Sequence, residues 1–228
     1  MAAIDAIAKK YQLPVIYVAC HSFGVTDENG SVFRHGDISV VSFHATKVFN
    51  TFEGGLLVSR SADMKRRVDH LKNFGFVDEA TVIEPGINGK MSEFNAMVGL
   101  HQLKYIPAIL DARSERDQLY RQRLDNIEGI TCQQPIRQNR RNYAYFPIFV
   151  EDAFPLSRDA LYEKLKEEGI FGRRYFYPLI SEFPMYQDLM SANPHGLPVA
   201  VNASSRVICL PLYPDLELDA VNQIADVI

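Results

Sequence analysis

The chain has 228 residues, 47% hydrophobic and 23% charged, a balance that excludes global disorder and gives room for one large domain or two small ones. A formal net charge of −4, with Lys and Arg spread along the chain, excludes a dedicated nucleic-acid surface. Cys20, Cys132 and Cys209 are too few and too far apart for a disulfide framework or a CxxC metal pair, which fits a reducing, cytoplasmic setting, and no apolar run is long enough to span a membrane.

The first ten residues, MAAIDAIAKK, lack the separate charged and apolar regions of a signal peptide. Ile4, Ile7 and Ala8 share one face of a short helix that runs almost at once into PVIYVA (14–19), a strand of the buried type. A start in mid-helix just before a core strand has the look of a cut chain. A polar loop with Asp27, Glu28, Asn29 and Gly30 follows, then a second strand, ISVVSF (38–43), and a third, GGLLV (54–58). The first two strands have no polar alternation, the pattern of strands covered on both faces. Too few residues separate the second and third for a helical crossover, so that pair is expected to be antiparallel.

Residues 61–73 read as a charged surface helix and PGINGKM (85–91) as a turn-rich loop. Ser92 is placed to cap a helix carrying Phe94, Met97, Val98, Leu100 and Leu103, which Pro107 ends or kinks. A long helix over 108–126 has Ile109, Leu110, Leu119 and Leu124 as its apolar positions. From about 128 the texture changes. TCQQPIRQNRRN (131–142) is polar and linker-like, and YAYFPIFV (143–150) is a strand. Ser157 caps a helix through Leu161 and Leu165 that Gly169 closes. A short strand is expected within 170–180, leading into YPL. Pro184, Pro194 and Pro198 mark an irregular section, RVICLPLY (206–213) reads as a strand, and 217–228 forms a last helix with Leu218, Val221, Ile224 and Ala225 inward. Arg137, Arg140, Arg141, Arg173 and Arg174 offer a local anion-binding patch, read mostly as solvated rim.

These elements divide into a unit over 1–127, with three strands and helices, and a smaller α/β unit over 128–228. Three apolar strands alone leave long open edges unless something covers them. The motifs SFHATKVFNTFEGG (42–55), VIYVACHSFG, HGDISVVSFHATK, NFGF, PGINGKMSEFNAMVGLHQL and YPL, in that order, closely resemble the DegT/DnrJ/EryC1/StrS family of sugar aminotransferases, enzymes of the aspartate-aminotransferase fold that use pyridoxal 5'-phosphate. The resemblance covers essentially the whole chain and corresponds to the C-terminal part of family members. It implies an α/β, truncated fold-type I pyridoxal-phosphate transferase: a partial three-stranded large-domain sheet plus a small C-terminal α/β domain.

An isolated lysine is most often a turn residue. By resemblance, Lys47 is the lysine that takes the cofactor aldehyde, which requires an amine able to attack and later to shuttle a proton. Ser42 matches the serine that hydrogen-bonds the cofactor phosphate, and Asn88 the asparagine that reaches the phosphate of a neighbouring subunit; both are short neutral donors for an anion. His21 matches the residue that packs on the cofactor ring. His44 is read as a supporting residue with no proton assigned to it, and Glu53, Gly54 and Gly55 as structural. No metal site is implied.

Two departures stand out. Where the family has an aspartate that pairs with the pyridine nitrogen, this chain has Val18, which weakens the ring as an electron sink. Where the family has a histidine after YPL, it has Ile180. The strands and the ring-stacking aromatic of the family's N-terminal part have no counterpart here. The resemblance implies transfer of an amino group from glutamate to a nucleotide-linked keto sugar, in a homodimer. Lys47 favours this branch over the dehydratases, which carry histidine there. The alternatives are an inactive homologue acting through its dimer surface, or one half of a split enzyme completed by a separate N-terminal chain. Neither nucleic acid nor membrane is an expected partner.

Overall fold

The computed structural model describes residues 1–135 and 140–228. The chain packs into two units, one of Met1–Ala108 joined by 140–142, the other of 109–135 and Tyr143–Ile228. In the first, helix α1 (Ala2–Tyr11) ends on Gln12 in the left-handed conformation, φ 53°, and leads to strand β1 (Ile16–Val18). The polar loop contains a short hairpin, β2 (Thr26–Asp27) with β3 (Gly30–Ser31), turned by Asn29 N–H donating to Asp27 Oδ1 at 3.0 Å. Strand β4 (Ile38–Ser42) runs parallel to β1, and β5 (Gly55–Ser59) antiparallel to β4, giving the order β1-β4-β5. The expected antiparallel pair is therefore present.

Burial on both faces is not. Val41 and Ser39 of the central strand are each 1% exposed, but Val18 of β1 is 80% exposed, and Ile16, Leu56 and Leu57 are also open. An apolar side chain is buried only where a second layer lies over it, and strand composition reports the preference rather than the layer. Helix α2 (Ala62–Leu71) is capped by Ser61, and α3 (Glu93–Leu103) by Ser92, whose Oγ accepts from Asn95 N–H at 3.2 Å. The apolar residues Phe94, Met97, Leu100 and Leu103 of α3 are exposed, and its buried residue is Gly99. Helix α4 (Ile106–Leu124) takes Pro107 into its first turn, where the missing N–H costs no hydrogen bond.

In the second unit β6 (Ile130–Cys132), β7 (Phe146–Val150) and β8 (Val207–Leu210) form an antiparallel sheet in that order. It packs with α5 (Arg158–Glu167), α6 (Pro198–Arg206) and α7 (Leu218–Val227). Ile148, Leu161, Leu165, Ile208 and Val221 are fully buried. Ser157 Oγ caps α5, accepting from Ala160 N–H at 3.2 Å. Two elements escaped the reading of the sequence. Strand β6 begins before the polar run and buries Ile130 and Cys132 around an exposed Thr131, and α6 starts at Pro198 in the section read as irregular. Conversely, 170–180 holds no strand but a single bridge, Arg173 to Cys209.

Candidate functional site

Beyond Ser42 the chain leaves the sheet and closes a loop on itself. Phe43 N–H donates to Gly54 O and Thr51 N–H to Phe43 O, both at 2.9 Å. Gly54 has φ 150°, and a Cβ there would lie 2.6 Å from Thr51 Oγ1 and 2.8 Å from Met91 Cε. Only glycine fits such a position, as the sequence reading expected. Helix α3 clamps the loop from one side. Asn95 Nδ2 donates to Thr51 O at 2.6 Å, and Gly99 is so close that a Cβ would meet Thr51 Cγ2 at 2.9 Å.

Three phenylalanines support the loop from below. Phe49 stacks on Phe23 with centroids 4.3 Å apart, and Phe43 meets Phe49 edge-on at 4.8 Å. Phe43 and Phe49 bracket Lys47, while Phe23 lies two residues beyond His21, so one aromatic cluster fixes both loops. On that base the Lys47 Nζ stands 2.7 Å from His21 Nε2. Partial burial of the imidazole, and then the charge on Lys47, hold the His21 pKa below its ordinary value. The ring is therefore neutral at neutral pH and its Nε2 accepts from the amine.

The loop after β1 has a further anchor. Asn142, 7% exposed, donates through Nδ2 to His21 O at 2.6 Å and to Phe23 O at 3.0 Å. The backbone of Arg140 bridges to Thr26 beside it.

Of the residues singled out from the sequence, the structure brings His21 and Lys47 together and sets half-buried Ser42 at the root of the same loop. The Ser42 Oγ accepts from His44 N–H at 3.3 Å, a bond that does not use its hydroxyl hydrogen. His44 serves the turn: its Nδ1 accepts from Thr46 N–H at 3.2 Å and its Nε2 lies 3.7 Å from Glu53. Asn88 is exposed in a loop tied to the end of α2, where Ile87 N–H donates to Leu71 O and Gly89 N–H to Lys72 O, each at 2.8 Å. Val18 sits opposite Val40 in the parallel register and is exposed. Ile180 is exposed as well.

The arginine patch does not read as one site. Arg137 lies outside the described residues. Arg174 donates to Asp159 at 2.8 Å and lies over the Tyr162 ring at 4.6 Å, and Arg173 is tied by its backbone to Cys209. Among the described residues no His, Cys, Asp or Glu cluster could hold a metal ion, and no helix is long and apolar enough to cross a membrane. Asn142, Asn95, Gly99 and the three phenylalanines were not foreseen as site residues. The one signal that could have found any of them is the pair of aromatics flanking Lys47.

The sequence matches the model of the DegT/DnrJ/EryC1/StrS aminotransferase family over residues 1–228. It is 50% identical to a dTDP-4-amino-4,6-dideoxy-D-glucose transaminase of Shigella dysenteriae over 99% of this chain and 61% of that protein. A protein of the same name from Escherichia coli is 47% identical over 97% of this chain and 60% of its own length. The chain thus spans about three-fifths of the curated relatives it matches. Among solved structures, DesI, determined in the presence of its TDP-sugar product, superposes with TM-score 0.88 at 32% identity, over 98% of this chain and 56% of that one. The fold is accordingly α/β, with the small sheets of a partial fold-type I aminotransferase.

Proposed function

The chain belongs to the DegT/DnrJ/EryC1/StrS aminotransferase family. From that premise we propose that it acts in the transfer of an amino group, from glutamate, to a nucleotide-linked keto sugar, with Lys47 as the amine that takes the cofactor aldehyde. Pyridoxal 5'-phosphate is the cofactor the family implies. The names of the two relatives make the dTDP-linked 4-keto-6-deoxyhexose, which amination at position 4 turns into a 4-amino-4,6-dideoxy sugar, the substrate to try first.

The observation that carries this reading is the contact between Lys47 Nζ and a neutral acceptor, His21 Nε2, at 2.7 Å. It rests on a loop closed by Phe43, Thr51 and Gly54. When bound, pyridoxal phosphate supplies an aldehyde and an electron-withdrawing ring. The chain's residues fit that group. Ser42 brings a hydroxyl and Asn88 an amide suited to a phosphate, His21 a flat imidazole, and Lys47 a half-buried amine on a fixed loop. His21 holds the amine by one hydrogen, which leaves its lone pair to point elsewhere once it is neutral. As in the family resemblance, Asn88 is assigned to the phosphate of a second copy, so a homodimer is the proposed assembly.

Val18 favours one second reading. An apolar side chain offers no carboxylate to hold a proton on the pyridine nitrogen. A chain that holds the cofactor without turnover, as an inactive homologue or as the partner of a separate chain, accommodates that. The test is formation of the amino sugar from the dTDP-linked 4-keto-6-deoxyhexose with glutamate and pyridoxal phosphate, followed by mass spectrometry. Slow product formation that Val18→Asp raises by about ten-fold or more supports the aminotransferase. Absence of product with both chains, despite cofactor held on Lys47, supports the second reading.

A further inference from the structure

Nothing in the family motifs singles out Asn142, yet it is a buried polar group, 7% exposed, whose side chain touches the loop that carries His21. Its side-chain amide reaches back more than a hundred residues along the sequence to two carbonyls of one loop, His21 O and Phe23 O. A single N–H2 group shared by two acceptors 2.6 and 3.0 Å away fixes both the position and the twist of the peptide between them. The two residues so fixed have distinct tasks. Phe23 stacks on Phe49, which follows Lys47, and His21 presents Nε2 to the Lys47 amine.

We infer that Asn142 is a positioning residue for Lys47: by locking the His21 and Phe23 carbonyls it holds the His21 imidazole as the acceptor that orients the lysine amine. This deepens the proposed function and rests on it for what the lysine does, but the contact itself belongs to the free chain. Three roles for Asn142 predict different behaviour. A purely structural amide would alter stability and leave the His21–Lys47 pair intact. A direct ligand contact would matter only with substrate present. A positioning residue alters what His21 senses of Lys47 with nothing bound.

The titratable and charged groups on the elements that meet His21 include Lys47, His44 and Glu53, on the loop after β4, and Arg140 and Arg141, which precede Asn142. Partial burial, then Lys47, depress the His21 pKa. Removing the lysine charge therefore shifts the His21 titration upward, and so does releasing the ring from its partly buried place beside the amine.

The test is a double-mutant cycle read by the imidazole resonances of His21 in the cofactor-free full chain, titrated by NMR. The variants are Lys47→Met, Asn142→Ala and the two combined. In the wild-type background Lys47→Met moves the His21 titration upward. Asn142→Ala also moves it upward, although asparagine carries no charge. In the Asn142→Ala background, Lys47→Met adds no further shift, because the ring no longer stands beside the amine. Asn142→Ser, which keeps one donor, gives an intermediate upward shift and supplies a folded comparison should the alanine variant unfold. An unchanged His21 titration in both Asn142 variants would overturn the inference. So would a Lys47→Met shift of the same size with and without Asn142. Because no cofactor or sugar enters, either result leaves the proposed aminotransferase function untouched.

Discussion

The two units solve burial differently. In the second, side chains from α4, α5, α7 and all three strands meet in one continuous core, with Tyr120, Leu124, Ile148, Leu161, Leu165 and Ile208 sealed from solvent. In the first, the buried cluster is small, Val41, Phe43 and Phe49 with a few neighbours, while Ile16, Val18, Phe94, Met97 and Leu100 stand open. Yet the smaller cluster carries the candidate chemistry. A site needs rigidity at a few atoms, and three packed rings, a clamping asparagine and two close-packed glycines provide it locally without a large core. The second unit shows what full layering does for stability; the first shows how little of it a fixed lysine requires.

The largest test of that contrast is a pair of truncations. Leu161→Ala should cost about 2–5 kcal/mol in urea denaturation, since it empties a sealed position. Leu100→Ala on the open face of α3 should stay within about 0.5 kcal/mol. Equal losses would break the contrast by showing that α3's apolar face is covered in solution. Next, Gly99→Ala should cost about 1–3 kcal/mol, because its Cβ meets Thr51 Cγ2 at 2.9 Å in the clamped loop. A neutral Gly99→Ala would mean that the loop is not held by α3. Asn95→Ala, which removes the bond to Thr51 O, should cost about 1 kcal/mol and loosen hydrogen exchange at Thr51 and Phe43 in the same experiment.

The smallest effect sharpens the contrast through cysteines. Burial pushes the Cys132 and Cys209 thiols, both in the second unit, up to about 11. At pH 8 they should resist a thiol reagent in the folded chain, while half-buried Cys20 of the first unit reacts. The sign of the linkage follows. These thiols keep their protons in the folded unit but lose them near pH 9 when unfolded, so stability present below pH 9 should fall as pH rises from about 9 to about 11. A flat profile over that window would place both thiols in contact with water.

Much of this was legible in the residues. The strands of the first sheet, the antiparallel β4–β5 pair, the Ser92 and Ser157 caps and the glycine-closed loop around Lys47 all come from local rules whose causes lie within a few residues. What escaped notice is non-local or depends on layering. Asn142 sits in a polar stretch that reads as linker, and only the fold shows that it meets His21. The openness of Val18 and Leu100 cannot be read from apolarity, because composition states what a side chain prefers and not whether a neighbour arrives. Helix α6 hid behind Pro198, whose ring breaks a helix in the middle and suits it at the start.

The most direct test of the central claim is to titrate pyridoxal 5'-phosphate into the full chain, reduce with borohydride and locate the label by peptide mass spectrometry. The geometry of the Lys47 loop predicts a pyridoxyl adduct concentrated on Lys47 and lost in Lys47→Met. Labels scattered over exposed lysines, or none, would contradict it.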